Sequence, residues 1–388
     1  MKTSSNSRFA DVRIGDFCQT GSGGTPSRSN GSEYFGGSIP WVKSGELREK
    51  VITSTEETIT ESGLNSSSAK LLPPNTLLVA LYGATVGRIG ILGIPAATNQ
   101  AICHIVPDES RANRRYLFHA LQAQVPYWLS KRVGVGQPNI SQGVVRDTMI
   151  PLPYPDDPAR SLSEQKRIAD ILDKADAIRH KWQVAQAELT ALIDSRFLEM
   201  FGDPVVNHMG WKVLPFAKVA LNRDSLRVPL KESDRDLRHG QYPYYGAVGI
   251  IDQIDDYIFE GEHLLISEDG KHLESRTRPI ACLANGKFWV NNHAHVLAEN
   301  GIADLCFLAW QIEHRPIREF VTGIDQFKLN QGSLDRIPVC VPPLELQRQF
   351  RRFYTHTETI KRRCDAALTS SNDLLNSLVQ RAFQGELR

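Results

Sequence analysis

The sequence of 388 residues has no apolar run of the roughly 20 residues that a membrane-spanning helix needs. Its longest candidate, Leu71 to Gly93, is broken by Pro73, Pro74, Asn75, Arg88 and several glycines. The opening MKTSSNSRF has no apolar core of the kind a secretory signal carries, so a cytoplasmic protein without a membrane is expected. Six cysteines (Cys18, Cys103, Cys282, Cys306, Cys340, Cys364) form no CxxC pair, which points to reduced thiols rather than a disulfide frame or a zinc site. Excess charge of one sign is also missing. The net charge is +1, so any basic footprint for a nucleic acid must be local.

Catalytic signatures are equally scarce. YGATVGRIG (Tyr82 to Gly90) has neither the phosphate-loop nor the dinucleotide glycine spacing. The [DNS]PP[YFW] signature of an amino-methyltransferase pocket for a flipped base is missing. Pro155, Asp156, Glu164 and Lys166 spell a PD...ExK nuclease pattern. Glu164 and Lys166, however, fall in the first turn of a helix, about 200° apart, and cannot face one metal ion. His293 and His295 alternate on a probable strand, with no third ligand spaced to join them, so no metal site is expected.

What is present begins with a seam. Ile168, Ile171, Ala175, Ile178, Trp182, Ala185, Leu189 and Leu192 follow one another in steps of three and four, the pattern of a coiled-coil helix. Ser161 and Glu164 suggest a capping box, and Gly202 with Pro204 a stop, for a helix of about 60 Å. Moving each seam position forward by 182 residues gives Phe350, Phe353, Thr357, Ile360, Cys364, Ala367, Ser371 and Leu374, then Leu378. The second helix repeats the first in register. Thr357, Cys364 and Ser371 are expected to weaken its seam and leave room for further helices from another chain.

The repetition extends upstream, where QPNISQG (Gln137 to Gly143) matches QFKLNQG (Gln326 to Gly332), and NQAICHIV from Asn99 faces NHAHVLAE from Asn292. The chain therefore reads as a tandem duplication. Each half is a mixed α/β (α+β) domain followed by one long α-helix, and each helix needs the other as its partner. TLLVALYG (Thr76 to Gly83) and GEHLLISEDG (Gly261 to Gly270) read as buried strands ending in turns; ANRRYLFHALQ and ADLCFLAWQI read as amphipathic helices. The expected boundaries are 1–158 and 204–343 for the domains, 159–203 and 344–388 for the helices.

Polar and aromatic residues gather at strand ends and loops. Asn and Gln can pair with adenine edges, Lys and Arg with guanine or phosphate, and Tyr with a thymine methyl or a sugar. The candidate DNA contacts in the first half are Lys43, Ser44, Glu46, Tyr82, Thr85, Arg88, Asn99, Gln100, Gln137, Asn139 and Ser141. In the second half they are Tyr244, Tyr245, Lys271, Asn291, Asn292, His293, Gln326, Lys328, Asn330 and Gln331. A denser basic stretch, Arg223 to His239, suits phosphate contact or a solvated loop.

In order along the chain, GSGGTPSRSN...YFGGSIPWVKSGEL, LYGATVGRIGIL...ATNQA, QPNISQGVVRDTMIPLP, EQKRIADILDKADAIRHKW, YPYYGAVGIIDQIDDYIFEGEHLLISEDG and KLNQGSLDRIPVCVPPLELQRQF resemble the specificity (S) subunits of Type I restriction-modification systems. The join PYPDDPARSLSEQKR is longer than the family's usual one. The resemblance implies two target-recognition domains, each reading half of a split, asymmetric site, with two helices packed antiparallel in a pseudo-twofold coiled coil. It implies a non-catalytic DNA-binding subunit of a phage-defence restriction system, with no cofactor in this chain. Two modification subunits would bring S-adenosylmethionine for adenine methylation, and restriction subunits would bring ATP, Mg and cleavage. The other readings are a system that only methylates DNA, a coiled-coil scaffold displaying ligand-binding domains, and a nuclease using the PD...ExK residues.

Overall fold

The computed structural model describes residues 8–48, 50–133, 139–324 and 326–387. The chain divides into two compact units, Met1–Trp182 with Ala367–Arg388, and Gln183–Ala366. Both boundaries fall inside long helices, so each unit owns part of each helix. The first long helix is Pro158–Phe201 and the second is Leu344–Phe383. Neither unit is continuous with one half of the sequence, because the end of the chain completes the first unit.

The first helix starts before the expected Ser161. Asp157 accepts the Arg160 N–H at 3.1 Å and serves as the cap. Ser161 is buried instead, and its hydroxyl accepts from Gln165 at 3.0 Å. At the other end Gly202 has φ +74, the left-handed conformation in which glycine ends helices at little cost.

The main sheet of the first unit runs Cys18–Ser22, Ile102–Pro107, Leu77–Ala80, Ile89–Leu92, Val51–Ile52. Its counterpart in the second unit runs Ala220–Asn222, Ala294–Glu299, His263–Ser267, Ala281–Ala284. In both, the central strands pair antiparallel, with Leu77 opposite Ile91 and Ile105, and Leu264 opposite Leu283 and Leu297. A smaller sheet in each unit contains one parallel pair: Trp41 and Val42 beside Ala97 and Thr98, or Tyr244 and Tyr245 beside Trp289 and Val290. A separate two-stranded ribbon, Phe9–Arg13 with Met149–Pro153 or Lys212–Pro215 with Pro338–Val341, leads into each long helix.

A helix covers each main sheet, Arg114–Ser130 in one unit and Leu305–His314 in the other. In the first unit Ile168 and Leu172 join Tyr116, Leu117 and Ala382 in one core, so the start of the first long helix lies with the end of the second. In the second unit Phe197 and Phe201 contact Phe350 with ring centroids 5.4 and 5.6 Å apart, so the end of the first lies with the start of the second. The two helices are therefore antiparallel. Burying an aromatic such as Phe350 contributes about 1.5–3 kcal/mol, which makes these clusters the anchors of the pair.

The seam differs from the expected one. Ile168, Ile171, Trp182, Leu189, Phe350, Phe353 and Leu378 are buried or partly buried. Ile178, Ile360 and Leu374 are 49%, 37% and 51% exposed. Thr357, Cys364 and Ser371, which the repeat also places on the seam, are buried, one per heptad.

Candidate nucleic-acid interface

Each unit brings three polar segments together around one strand-end residue. In the first unit Leu81 donates its N–H to the Ala101 carbonyl at 2.8 Å, and its carbonyl accepts the Ile140 N–H at 3.0 Å. In the second unit Glu268 donates to the His293 carbonyl at 2.9 Å and accepts the Leu329 N–H at 2.7 Å. Tyr82 then bridges to Asn139 as Asp269 bridges to Lys328. Asn99 donates to Val42 and Asn291 to Tyr245, both at 3.0 Å. The segments NQA, NIS and LYG of one unit and NNH, KLN and EDG of the other thus occupy matching places, although they lie far apart in sequence.

Tyr82, Gln100 and Ser141 are exposed at this convergence in the first unit, with Thr85, Asn99 and Asn139 partly exposed, while the exposed Arg88 lines a cleft with Leu47, Arg48 and Gln122. Thr25, which the sequence did not single out, hydrogen-bonds to Gln100. The neighbouring Gly23 cannot be replaced without conflict, since a Cβ there would lie 2.2 Å from the Thr98 carbonyl oxygen. Lys43 and Ser44 sit at the adjoining strand end, but both Glu56 and Glu57 hold the Lys43 ammonium at 2.9 Å. Gln137 lies outside the described residues.

In the second unit Lys271, Asn292, His293, Gln326, Lys328, Asn330 and Gln331 are exposed. His293 meets Asp269 at 2.6 Å, and Lys328 meets Glu268 at 3.2 Å. Arg227 reaches Glu268 at 2.9 Å. Beneath them His295, 1% exposed, hydrogen-bonds to Asp224 at 2.6 Å and to the Leu329 carbonyl at 2.7 Å. Burial disfavours the imidazolium, yet the hydrogen bond and charge of Asp224 outweigh it and raise the His295 pKa. Burial likewise opposes the Asp224 carboxylate, whose pKa is nevertheless held low by His295, the Val296 N–H and Arg227.

Three of the candidate residues, Tyr244, Asn291 and Glu46, are engaged within the protein. Tyr244 is fully buried and its hydroxyl accepts the Leu230 N–H at 3.0 Å. Successive strand residues point to opposite faces, so Tyr244 and Tyr245 could never both face a ligand; Tyr245 is partly buried against Phe288. Asn291 is 6% exposed and accepts the His293 N–H at 2.8 Å. Glu46 ties down a loop by accepting the N–H groups of Lys43 at 2.6 Å and Glu56 at 2.7 Å.

Ser141 and Asn330 also have a structural use. They cap the short helices Gln142–Arg146 and Gln331–Leu334, accepting from Val144 at 3.2 Å and Ser333 at 3.0 Å. Capping alone accounts for their repetition. In the basic stretch, Arg227, Arg235 and Arg238 form ion pairs with acids, while Arg223, Lys231 and His239 are exposed. Glu164 of the PD...ExK pattern is held by Arg167 at 2.8 Å and by Arg8, and the Arg167 hydrogen bond lowers its pKa. No helix among the described residues is long and apolar enough to cross a membrane.

Comparison with known proteins places this geometry. The family model for the Type I restriction modification DNA specificity domain matches residues 6–187 and 221–362. A putative type I restriction enzyme specificity subunit of Haemophilus influenzae is 38% identical over 138 residues, or 35% of this chain and 34% of that protein. The EcoprrI specificity subunit of Escherichia coli is 25% identical over 336 residues, covering 84% of this chain and 81% of its own. The solved S subunit of a Type I system from M. genitalium has TM-score 0.64 and 14% identity, with 99% and 98% of the chains covered. A chain from a structure describing complex assembly and conformational transition of the type I R-M system has TM-score 0.54 and 16% identity, with 100% of both covered. These solved structures share the fold. Because the family match spans both halves, the chain belongs to the Type I restriction-modification DNA specificity family, whose members give a complex its DNA sequence recognition and leave catalysis to other subunits.

Proposed function

We propose that this chain reads a split, asymmetric DNA sequence, one half with each unit, and directs adenine methylation and cleavage by its partners. One observation carries the reading: the two convergences share a backbone frame but carry different side chains. Where the first unit has Tyr82, Gln100 and Asn139, the second has Asp269, Asn292 and Lys328 at the corresponding places. Hydrogen-bonding groups that differ at matching positions would read different base edges.

The partners in this reading are double-stranded DNA, two modification subunits using S-adenosylmethionine, and restriction subunits using ATP and Mg, in the cytoplasm. Apolar residues left exposed on the long helices, among them Ile178 in one unit and Ile360 in the other, would be covered by helices of the modification subunits. The test is genome-wide adenine methylation in the host with and without this gene. Loss of one asymmetric, gapped motif on deletion is the expected result. An unchanged methylome in a host expressing the modification subunit would overturn the reading.

A further inference from the structure

The outer edge of the main sheet is filled by a strand in one unit; in the other, among the described residues, it carries no strand, and only its Ala281 end is taken, by Glu313. In the first unit Val51–Ile52 adds in parallel to Ile89–Leu92. The Ile91 N–H donates to the Lys50 carbonyl at 2.9 Å and the Gly93 N–H to Ile52 at 2.8 Å. The Lys50 side chain then enters a slot between the sheet, the covering helix and the first long helix. Its ammonium lies 2.5 Å from Asp173, 3.6 Å from Asp176 and 5.0 Å from the Phe118 ring centroid.

The same frame recurs in the second unit. Leu283 corresponds to Ile91, since each faces the matching strand residue, Leu264 or Leu77. Ala281–Ala284 pairs only with His263–Ser267 and forms the edge of its sheet among the described residues. Where Lys50 is seated in the first unit, the second has a cavity of about 640 Å³, lined by Leu283, Ala309, Trp310, Tyr354 and Glu358 among others. Aligned on the helix caps Asn113 and Asp304, Phe118 is replaced by Ala309 and His119 by Trp310; aligned on the long helices, Asp176 is replaced by Glu358. The smaller Ala309 opens the slot; Glu358 keeps one carboxylate there, while Asp173 is replaced by Thr355 and Arg276, Arg278 and Lys361 also line the cavity. Glu358 has only Lys361 as an ion-pair partner among the described residues, at 3.6 Å. Glu313, by contrast, is already engaged by the Ile280 and Ala281 N–H groups at 2.5 and 2.7 Å.

We infer that the edge Ala281–Ala284 is a docking site for an extended segment of a protein partner, which adds as a parallel strand and inserts a lysine into the cavity toward Glu358. Backbone hydrogen bonds of an added strand supply affinity and the side-chain pocket supplies selectivity. An unpaired edge is a template for such pairing. The chain's own first unit shows the chemistry of the occupant, a lysine followed by two β-branched residues, Lys50, Val51 and Ile52.

The probe is a labelled synthetic peptide of the sequence REKVITST, residues 48 to 55, added to the full-length protein. Saturable binding is expected, with amide-exchange protection appearing at Leu283; its neighbours Cys282 and Ala284 alternate toward the paired strand, and Ala281 donates to Glu313. Replacing the peptide's lysine by norleucine weakens binding at least tenfold. Leu283→Pro, which removes the edge donor, does the same, and proline is tolerated at sheet edges. Glu358→Gln, which leaves the backbone untouched, narrows the difference between the lysine and norleucine peptides to less than threefold. Three results would each overturn the inference: no protection at Leu283 at millimolar peptide, binding indifferent to both variants, or concentration-dependent protection of Leu283 without peptide, which would assign the edge to a second copy of the chain.

Discussion

Gln165 and Gln347, 182 positions apart on the two long helices, make the same buried hydrogen bond to the opening of a covering helix. Gln165 accepts the Asn113 N–H at 2.8 Å and Gln347 the Asp304 N–H at 2.9 Å. Both are fully buried. Each amide also donates, Gln165 to the Arg111 carbonyl at 3.0 Å and Gln347 to the Pro342 carbonyl at 2.8 Å. These two glutamines fasten each long helix to its globular domain.

Gln165→Leu is therefore expected to destabilise the protein by about 1–3 kcal/mol, the cost of leaving buried polar groups unpaired. Hydrogen exchange should quicken around Asn113 to Leu117 and stay unchanged around Asp304 to Leu308. Gln347→Leu should reverse the pattern. Exchange measured on both variants checks this.

Lys271 is exposed and has no ion pair among the described residues, whereas Lys43 is held by two carboxylates. In the complex with modification subunits, Lys271→Ala should reduce the salt slope of DNA binding by about 0.9, one phosphate contact. Lys43→Ala should leave the slope unchanged. Affinity titrations across a salt series distinguish the two.

The His295–Asp224 pair sets a pH dependence. His295 has a raised pKa in the folded protein. Its contribution is fully present below its unfolded value of about 6.5 and is lost as pH rises through the folded value. Asp224 has a lowered pKa, so its contribution is present above about 3.9 and is lost as pH falls through the folded value. Asp224→Ala is expected to cost about 3–5 kcal/mol at pH 6, since it leaves one partner of a buried pair behind. The variant should also lose the decline in stability on raising pH above 6.5, which denaturant unfolding at several pH values would reveal.

The first long helix passes unbroken from one unit into the other. Removing one heptad from each helix shortens it by about 10 Å, or about three base pairs at 3.4 Å. If the helices set the unread gap, methylated motifs in such a variant have a correspondingly shorter gap. An unchanged gap with retained methylation would refute that role.

The duplication was legible because it rests on local rules: an apolar repeat, an N-cap and a strand ending in a polar turn leave the same trace in both halves. Gln165 and Gln347 obey the same 182-residue register, although a polar residue on an apolar face gives no sign of what it will bind. The seam was only partly legible. Thr357, Cys364 and Ser371 fall on the repeat and are buried as it places them, whereas Ile360 and Leu374 fall on the same repeat and are exposed. Tyr244 was placed at a strand end or loop, but it lies within the strand His239–Gly246 and points into the core. The union of the chain's end with its first unit left no local signal, since Ala382 meets Ile168 and Tyr116 only once the helices have paired.

The most direct test of one half-site per unit is an exchange of recognition segments. Residues 220 to 334 would be replaced by the corresponding segment of a family member with a different specificity, and adenine methylation mapped genome-wide. The expected motif keeps one half of the original sequence and takes the other from the donor. A motif changed in both halves, or in neither while methylation persists, would contradict the division of reading between the two units.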